Sequence, residues 1–239
     1  MVRLALVPVL FVGVVGCEAN GGDEGLFVTK NVAPMGTTCA FSASESEPFF
    51  SHGAVTTALG PTAYLINPQI KSRITALDTE VDQKTVITTG ADIDVSFADS
   101  SVAAGIDDSL LHFRQVFSAP IAPNDGITDA GFILLPEELV TAIGAVGGAG
   151  RFEIEVITAF TVRGNMSGED VSSQQFTYAV TVGNDLVTNT VPSTVDMNGN
   201  CHANTGIVIR TGNPCNITQD EVVDCCVNGD GSFTCPAAI

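Results

Sequence analysis

The stretch Ala91-Asp92-Ile93-Asp94-Val95-Ser96-Phe97 alternates apolar and polar side chains. In an extended chain, successive side chains point to opposite faces, so Ile93, Val95 and Phe97 share one face. Asp92, Asp94 and Ser96 share the other face. This pattern predicts a half-buried antiparallel strand, apolar towards a core and polar towards solvent.

The same alternation recurs along much of the chain, at residues 111–117, 152–162 and 176–182. Weaker patterns predict four further strands, at residues 26–31, 53–57, 63–66 and 85–89. Turn-forming residues separate them, as in Ala122-Pro123-Asn124-Asp125-Gly126. Many short strands with turn signals and little helix are typical of a β-sandwich. We therefore predict an all-β antiparallel sandwich of the immunoglobulin-like type over residues 26–183.

One short helix is predicted between these strands. Pro136 suits a first helical position, and the charges of Glu137 and Glu138 suit the positive end of the helix dipole. Gly147-Gly148 would end the helix. The predicted apolar stripe consists of Leu135, Leu139, Ile143 and Val146.

The tail, residues 184–239, differs from the sandwich in composition because it holds most of the cysteines. We predict that it is stapled by disulfides and that one tail cysteine reaches back to Cys39. Six cysteines allow fifteen pairings, and the sequence does not choose among them. Cys225 and Cys226 are expected to take different partners. The six candidates are Cys39, Cys201, Cys215, Cys225, Cys226 and Cys235.

Residues 1–16 have the pattern of a secretory signal peptide: Arg3, an apolar run over residues 4–15, and a small Gly16. The run is shorter than the roughly 20 residues of a membrane-spanning helix. Val14-Val15-Gly16-Cys17 resembles a bacterial lipobox, and this resemblance implies that Cys17 carries a lipid. The odd cysteine count agrees, because 7 cysteines leave one unpaired. Cleavage after Gly16 that leaves Cys17 free is the alternative.

Residues 17–25 are polar and Gly-rich, the composition of a flexible tether between a lipid and a folded domain. The residue after the lipobox cysteine is Glu18 rather than Asp. The lipoprotein resemblance therefore implies the outer membrane, with the folded part facing either the periplasm or the cell surface.

The chain carries a formal net charge of −18. Nucleic-acid binding draws its affinity from cations on phosphates, so this charge argues against a nucleic-acid partner. Anionic headgroups would also repel the protein, so its membrane contact is expected to come from the lipid. The acidity has two further interpretations, solubility in salty surroundings or binding of divalent cations.

Two tail segments partly match a calcium loop, in which oxygen ligands alternate along the chain. The weak candidates are Asp196, Asn198, Asn200, Asn228 and Asp230. In the first segment, Cys201 replaces the required Gly, and Ile207 replaces the bidentate Glu. Turns between disulfides are the simpler interpretation, and calcium is kept as the one possible cofactor.

Catalytic motifs are missing from the sequence. There is no Cys-x-x-Cys for zinc or haem, so disulfides are favoured for the cysteines. The histidines His52, His112 and His202 form no recognisable constellation, and no Gly-x-Ser-x-Gly occurs. We predict no catalytic residues and no enzyme. A hydrolase that uses two distant carboxylates is an alternative that no motif would reveal.

Several segments besides the lipobox form a recognisable set. They are Leu26-Phe27-Val28, the stretch from Val162-Arg163-Gly164 to Val171-Ser172-Ser173 that leads into the strand at 176–182, and the tail segments Gly212-Asn213-Pro214-Cys215-Asn216, Gln219-Asp220 and Asp224-Cys225-Cys226, which are the most distinctive. Together with the lipobox, this set resembles envelope lipoproteins of myxobacterial type. The resemblance implies a secreted, disulfide-bonded β protein and brings no catalytic residues with it.

Together these features predict an exported, lipid-anchored protein of the cell envelope or cell surface. The first hypothesis is a non-enzymatic structural, adhesion or protein-interaction module, whose partner is a protein or a surface polymer. The alternative is a periplasmic lipoprotein that binds a ligand or calcium.

Overall fold

The computed structural model describes residues 25–191, 193–195, 201–203 and 208–236, and most of its regular structure is β-strand. Two α-helices are present among these residues, α1 (Ser100–Ala103) and α2 (Glu137–Gly147), together with short 3₁₀ helices at Asp82–Lys84 and Asp108–Leu110. The strands are β1 (Leu26–Val32), β2 (Phe49–Phe50), β3 (Gly53–Thr56), β4 (Tyr64–Ile66), β5 (Pro68–Ser72), β6 (Val86–Phe97), β7 (His112–Gln115), β8 (Pro120–Ile121), β9 (Ile127–Asp129), β10 (Phe132–Leu135), β11 (Glu153–Met166), β12 (Glu169–Ser172), β13 (Phe176–Gly183), β14 (Thr188–Thr190), β15 (Ser193–Val195), β16 (Cys201–Ala203), β17 (Val223–Val227) and β18 (Phe233–Thr234).

The strands before residue 184 form two layers. The first layer contains the sheet β2-β1-β5-β9 and the pair β10-β4, which are continuous because only Asn67 separates β4 from β5. The second layer is the sheet β3-β13-β11-β6-β7, with β12 paired to β11 and β8 paired to β6. This is the predicted all-β sandwich, and the prediction is confirmed.

The core lies between the two layers and includes a chain of aromatic contacts. Phe132 of β10 meets Phe160 of β11 edge to face, with ring centroids 5.4 Å apart. Phe117 stacks on Phe132 at 4.9 Å, and Phe176 lies 5.4 Å from Phe160. Such pairs add about 0.5–1.5 kcal/mol each beyond the burial of their area. These contacts join the two layers across the middle of the sandwich.

The face assignments made from alternation are correct. Ile93, Val95 and Phe97 are buried, whereas Asp94 and Ser96 are exposed. The two strands predicted at 85–89 and 91–97 are one strand, β6. The pairing of β6 with β11 shifts register next to Gly90, whose φ is +141°. This local irregularity absorbs one residue, and the strand continues on both sides of it.

One sheet edge departs from the predicted antiparallel arrangement. β3 pairs with β13 in parallel, from Val180 opposite Gly53 to Gly183 opposite Thr56. A parallel pair requires a long connection, and here the chain runs through most of both layers between the two strands. A pattern of alternation within each strand carries no information on this pairing.

The helix α2 is confirmed, with two corrections. It begins at Glu137, because Pro136 is extended with ψ 154° and precedes the first turn. Val140 rather than Val146 completes the buried stripe, since Val146 is 40% exposed. The prediction of a single helix also missed the one turn of α1. No helix among the described residues is long and apolar enough to span a membrane.

The tail forms small sheets held by disulfides. β17 pairs with β14 in parallel and with β18 in antiparallel fashion, while β15 pairs with β16. The bonds Cys201–Cys226 and Cys225–Cys235 lie within the tail, and Cys39–Cys215 joins the tail to the sandwich. The disulfides that the sequence predicted are thus present, and Cys225 and Cys226 take different partners as expected.

Candidate functional site

Residues 213–220, here called the junction segment, lie along the free edge of β3. The backbone N–H of Thr56 donates to the carbonyl of Thr218 at 2.8 Å, and the N–H of Asp220 donates to the carbonyl of Ala54 at 2.8 Å. The tail therefore covers one edge of the second layer, which would otherwise be open to pairing with another chain.

The junction segment also contacts the first layer through two amide side chains. The N–H of Leu65 on β4 donates to Gln219 Oε1 at 2.9 Å, and Gln219 Nε2 donates to the Leu65 carbonyl at 3.0 Å. Asn216 Nδ2 donates to the carbonyl of Ala63 at 2.8 Å. A short piece of the tail therefore bridges the edges of β3 and β4, one in each layer.

Buried polar side chains form a hydrogen-bond chain behind this bridge. Asn31 Nδ2 has no acceptor capacity, so it donates to the Tyr178 hydroxyl at 3.0 Å. The Tyr64 hydroxyl donates to Asp220 Oδ1 at 2.9 Å. The contact of 3.2 Å between the two tyrosine hydroxyls therefore has Tyr178 as its donor. While Asp220 is ionised, the direction of every hydrogen bond in this network is fixed, and the network ends on its carboxylate.

Asp220 collects two more donors besides Tyr64. Its Oδ1 accepts from the backbone N–H of Ala54 at 3.0 Å, and its Oδ2 accepts from Gln219 Nε2 at 3.1 Å. Burial nevertheless raises the pKa of Asp220 to about 6, because losing water costs the charged form more than these bonds return. Burial likewise raises the pKa of Tyr178 to about 12 and that of Tyr64 well above 10.

A cavity of about 350 Å³ lies against this network, between the first layer and the junction segment. Its walls are mostly apolar, and Asp220 is the one titratable side chain among the described residues that line it. The Cys39–Cys215 disulfide lines it as well. The apolar lining residues are Val32, Pro34, Phe41, Phe50, Leu65, Ile66, Phe132 and Ile133, and the polar ones besides Asp220 are Asn31, Asn67, Asn213 and Gln219.

This combination has the features of a small-molecule site. Such sites measure about 300–1,000 Å³, are lined mainly by apolar groups, and place a few polar groups for orientation. A carboxyl whose pKa is shifted by burial marks functional sites more often than ordinary surface. The cavity can hold an apolar molecule, and the carboxylate of Asp220 can accept a hydrogen bond from that molecule or pair with its positive charge.

The predicted lipidation residue Cys17 lies outside the described residues, as do the calcium candidates Asp196, Asn198 and Asn200. The other two candidates lie in the turn between β17 and β18. Asp230 Oδ1 accepts from the N–H of Ser232 at 2.9 Å, as in a simple Asx turn.

In the same turn, Asn228 Nδ2 donates to the hydroxyls of Ser232 and Thr234. No group of three potential metal-ligating side chains occurs in the described part of the chain. Calcium binding by the tail stays a prediction.

The histidines that the sequence singled out lie at the surface, each with one polar partner, where their side chains are described. His52 Nε2 lies 2.7 Å from Thr181 Oγ1, and His112 Nδ1 lies 2.8 Å from Asp94 Oδ1. Neither residue lines the cavity.

Sequence reasoning missed the cavity and the hydrogen-bond chain. Asp220 entered only as part of a distinctive tail segment, and Asn31, Tyr64 and Tyr178 were assigned to strands or their faces. A signal was present in the composition: the chain has only 2 tyrosines, both lie in predicted strands, and a tyrosine hydroxyl that is buried needs a partner. The identity of that partner was not readable from the sequence.

No protein-family model and no curated protein matches this chain. Among solved structures, the chain is similar to the ASH/PapD-like domain 7 of human CEP192, with a TM-score of 0.28 and 11% sequence identity. That similarity covers 74% of this chain and 97% of the other. The fold assignment given above rests on the strand pairing of the chain itself.

Proposed function

We propose that this protein is an exported, lipid-anchored module of the cell envelope that acts by binding another molecule rather than by catalysis. The observation that carries the proposal is the cavity between the sandwich and the junction segment. Its walls include residues of strands β4 and β10 and the Cys39–Cys215 disulfide, which hold it in shape. A preformed site loses little entropy when a ligand enters.

The disulfides support the assignment to an oxidising compartment. Cys39 and Cys215 are separated by 176 positions, so their bond depends on the tertiary fold rather than on local proximity. Stable disulfides persist outside the cytoplasm and are rare within it. An exported protein held at the outer membrane satisfies this requirement, with the folded part facing the periplasm or the cell surface.

Cysteine pairing also supports the lipid anchor. The six cysteines of the folded region bond with one another, which leaves Cys17 as the odd thiol of the chain. Cys17 ends the lipobox-like segment, so attachment of a lipid is the function we propose for its thiol. A lipid chain contributes about 0.8 kcal/mol per buried methylene, so two or more chains would anchor the protein firmly.

The anchor is tested by the intact mass of the protein extracted from membranes without reducing agent. The expected species begins at Cys17, carries the mass of its acyl groups, and lacks six hydrogens because of three disulfides. A Cys17→Ala variant should be released from the membrane fraction. A wild-type mature chain that carries no lipid mass would overturn the anchoring part of the proposal.

The binding function is tested with the folded, oxidised protein and a neutral apolar fluorophore, N-phenyl-1-naphthylamine. We expect saturable binding of one molecule per chain. Ile133 lines the cavity and is 36% exposed, so Ile133→Trp should fill the cavity and abolish binding. Val116 is 80% exposed and does not line the cavity, so Val116→Trp is the matched control and should bind normally. No saturable binding by the wild-type chain would refute the proposed function.

A further inference from the structure

The cavity is lined mainly by apolar residues, and Asp220 is the one titratable side chain among the described residues that line it. The ion pairs formed among the described residues do not include Asp220. Its three hydrogen-bond donors are a backbone N–H, a tyrosine hydroxyl and a side-chain amide, all of them neutral. These groups orient the carboxylate without neutralising its charge.

The carboxylate has an acceptor position left. An ionised carboxyl group offers about four lone-pair positions, and the three bonds to Ala54, Tyr64 and Gln219 use three of them. Oδ1 accepts two of these bonds and Oδ2 accepts one, so the remaining position is on Oδ2. Because Asp220 lines the cavity, a ligand there is the candidate donor for that position.

Most of the other lining residues are apolar and suit an apolar body. Phe41 and Phe50 are the aromatic residues available there, and Leu65 and Ile133 are branched aliphatic ones, whereas the ring of Phe132 packs in the core against Phe117 and Phe160. A cation beside aromatic rings is favoured by the ring quadrupole as well as by the carboxylate. The net charge of −18 adds a field that concentrates cations near the protein and repels anions.

We infer that the cavity binds an amphiphilic cation, whose ammonium-type group contacts Asp220 and whose apolar body packs between the phenylalanine side chains. This inference rests on the proposed binding function and narrows it to one ligand class. Neutral ligands of the same shape would fill the apolar part but leave the carboxylate unpaired, and anions would be repelled.

The test measures displacement of N-phenyl-1-naphthylamine from the full mature chain at pH 7.5 by three probes of similar size. These are phenethylammonium, neutral 2-phenylethanol and anionic phenylacetate. We expect phenethylammonium to displace the fluorophore at a concentration at least tenfold lower than 2-phenylethanol, and phenylacetate to be weakest. Equal displacement by the ammonium and the alcohol overturns the inference, while fluorophore binding itself still supports the binding function.

Asp220→Asn separates charge from shape in the same assay. In the variant, the ammonium and the alcohol should displace the fluorophore at about the same concentration, whatever the variant's own affinity for the fluorophore. A preference for the ammonium that persists in Asp220→Asn also overturns the inference, because another group would then bind the positive charge of the ligand. If Asp220→Asn fails to bind the fluorophore, the wild-type comparison of the three probes decides the matter alone.

Discussion

At the scale of single residues, Gly53 is tied to the hydrogen-bond chain by a close approach. A Cβ built on Gly53 would lie 2.4 Å from the hydroxyl of Tyr64 and 2.6 Å from the ring carbon that carries it. Tyr64 is fully buried, so its ring and hydroxyl have no room to move away from that Cβ. Glycine at position 53 is therefore what allows the Tyr64 hydroxyl to reach Asp220.

We predict that Gly53→Ala destabilises the protein by about 1–3 kcal/mol, as overpacking of a filled core does. It should also weaken fluorophore binding, because Tyr64 and Asp220 would be displaced. Gly150→Ala is the matched control: a Cβ there meets nothing within 4 Å, so its effect should stay within about 0.5 kcal/mol. Denaturant unfolding of both variants checks this, and equal stabilities would contradict the packing argument.

Asp220 also makes stability depend on pH in a particular direction. Its pKa is about 6 in the folded protein and 3.8 as a free side chain. The charged form is disfavoured by folding, so the stabilisation is complete below pH 4 and is lost as pH rises through 6. The titratable groups around it are Tyr64, Tyr178 and Glu221; the tyrosines titrate far higher, and burial also raises the pKa of Glu221.

We predict that the free energy of unfolding contributed by Asp220 falls by about 1 kcal/mol between pH 5 and pH 8. Asp220→Asn should remove that part of the slope and keep the part due to Glu221. The comparison uses the pH slope and not the absolute stability, because the new amide Nδ2 would face the donor Nε2 of Gln219 and lower the stability at every pH. Identical pH slopes for both proteins, measured by urea unfolding at each pH, would show that Asp220 does not titrate in this range.

The importance of these residues could not be predicted from local sequence. Tyr64 and Ala54 lie 156 and 166 positions from Asp220, and Asn31 lies 147 positions from Tyr178. Alternation correctly placed Tyr178 on a buried face, but its hydrogen-bond partner depends on how the two layers and the tail pack together. No pattern within a single element encodes that packing.

At the scale of the elements, the long strands were predicted well because one face of each is buried along its whole length. β11 and β13 alternate over many residues, and burial follows the pattern. β5 was missed because it begins with Pro68 and is buried on nearly every position, so no alternation marks it. The tail strands were missed because disulfides, rather than an apolar face, fix their positions.

In the tail, Asp224 is held by an ion pair at the start of β17. Arg210 Nη2 donates to Asp224 Oδ1 at 2.6 Å and Nε donates to Oδ2 at 3.0 Å, while Asn189 Nδ2 donates to Oδ1 at 3.0 Å. The Arg210 guanidinium holds the pKa of Asp224 well below its usual range. The carboxylate is almost wholly buried, with 3% of its side chain exposed.

We predict that Arg210→Met lowers the thermal midpoint at pH 7 more than Arg151→Met does. The first change leaves a buried charge without its cation, which is costly, whereas the pairs of Arg151 with Glu153 and Asp185 are exposed. The stabilisation from Asp224 is present above its ordinary pKa near 4 and is lost as pH falls below it, so the effect of Arg210→Met should shrink at pH 3. Equal midpoints for the two variants at pH 7 would contradict this account of the pair.

At the scale of the whole molecule, the Cys39–Cys215 disulfide connects the first layer to the tail and borders the cavity. By the chain-entropy relation, a bond closing 176 positions limits the unfolded chain more than Cys225–Cys235, which closes 10. The sequence predicted that some tail cysteine would reach Cys39. It could not indicate which one, because all five candidates lie in a tail of similar composition.

We predict that Cys39→Ala/Cys215→Ala costs about 5 kcal/mol by that relation, against about 3 kcal/mol for Cys225→Ala/Cys235→Ala. The first double variant should also lose fluorophore binding, since the junction segment is no longer fixed to the first layer. Unfolding in guanidinium and a binding titration check both points. A Cys39→Ala/Cys215→Ala protein that binds normally would show that the cavity forms without its disulfide wall.

Whether the cavity between the sandwich and the junction segment binds a ligand can be seen in a ¹H–¹⁵N NMR titration of the oxidised mature chain, with phenethylammonium and, separately, with 2-phenylethanol. We expect saturable shifts concentrated at the amides of Asn31, Leu65, Asn67, Gly131 and Asp220, which line the cavity. Shifts scattered over the acidic surface, or no shifts with either probe up to its solubility, would refute a binding site at this cavity.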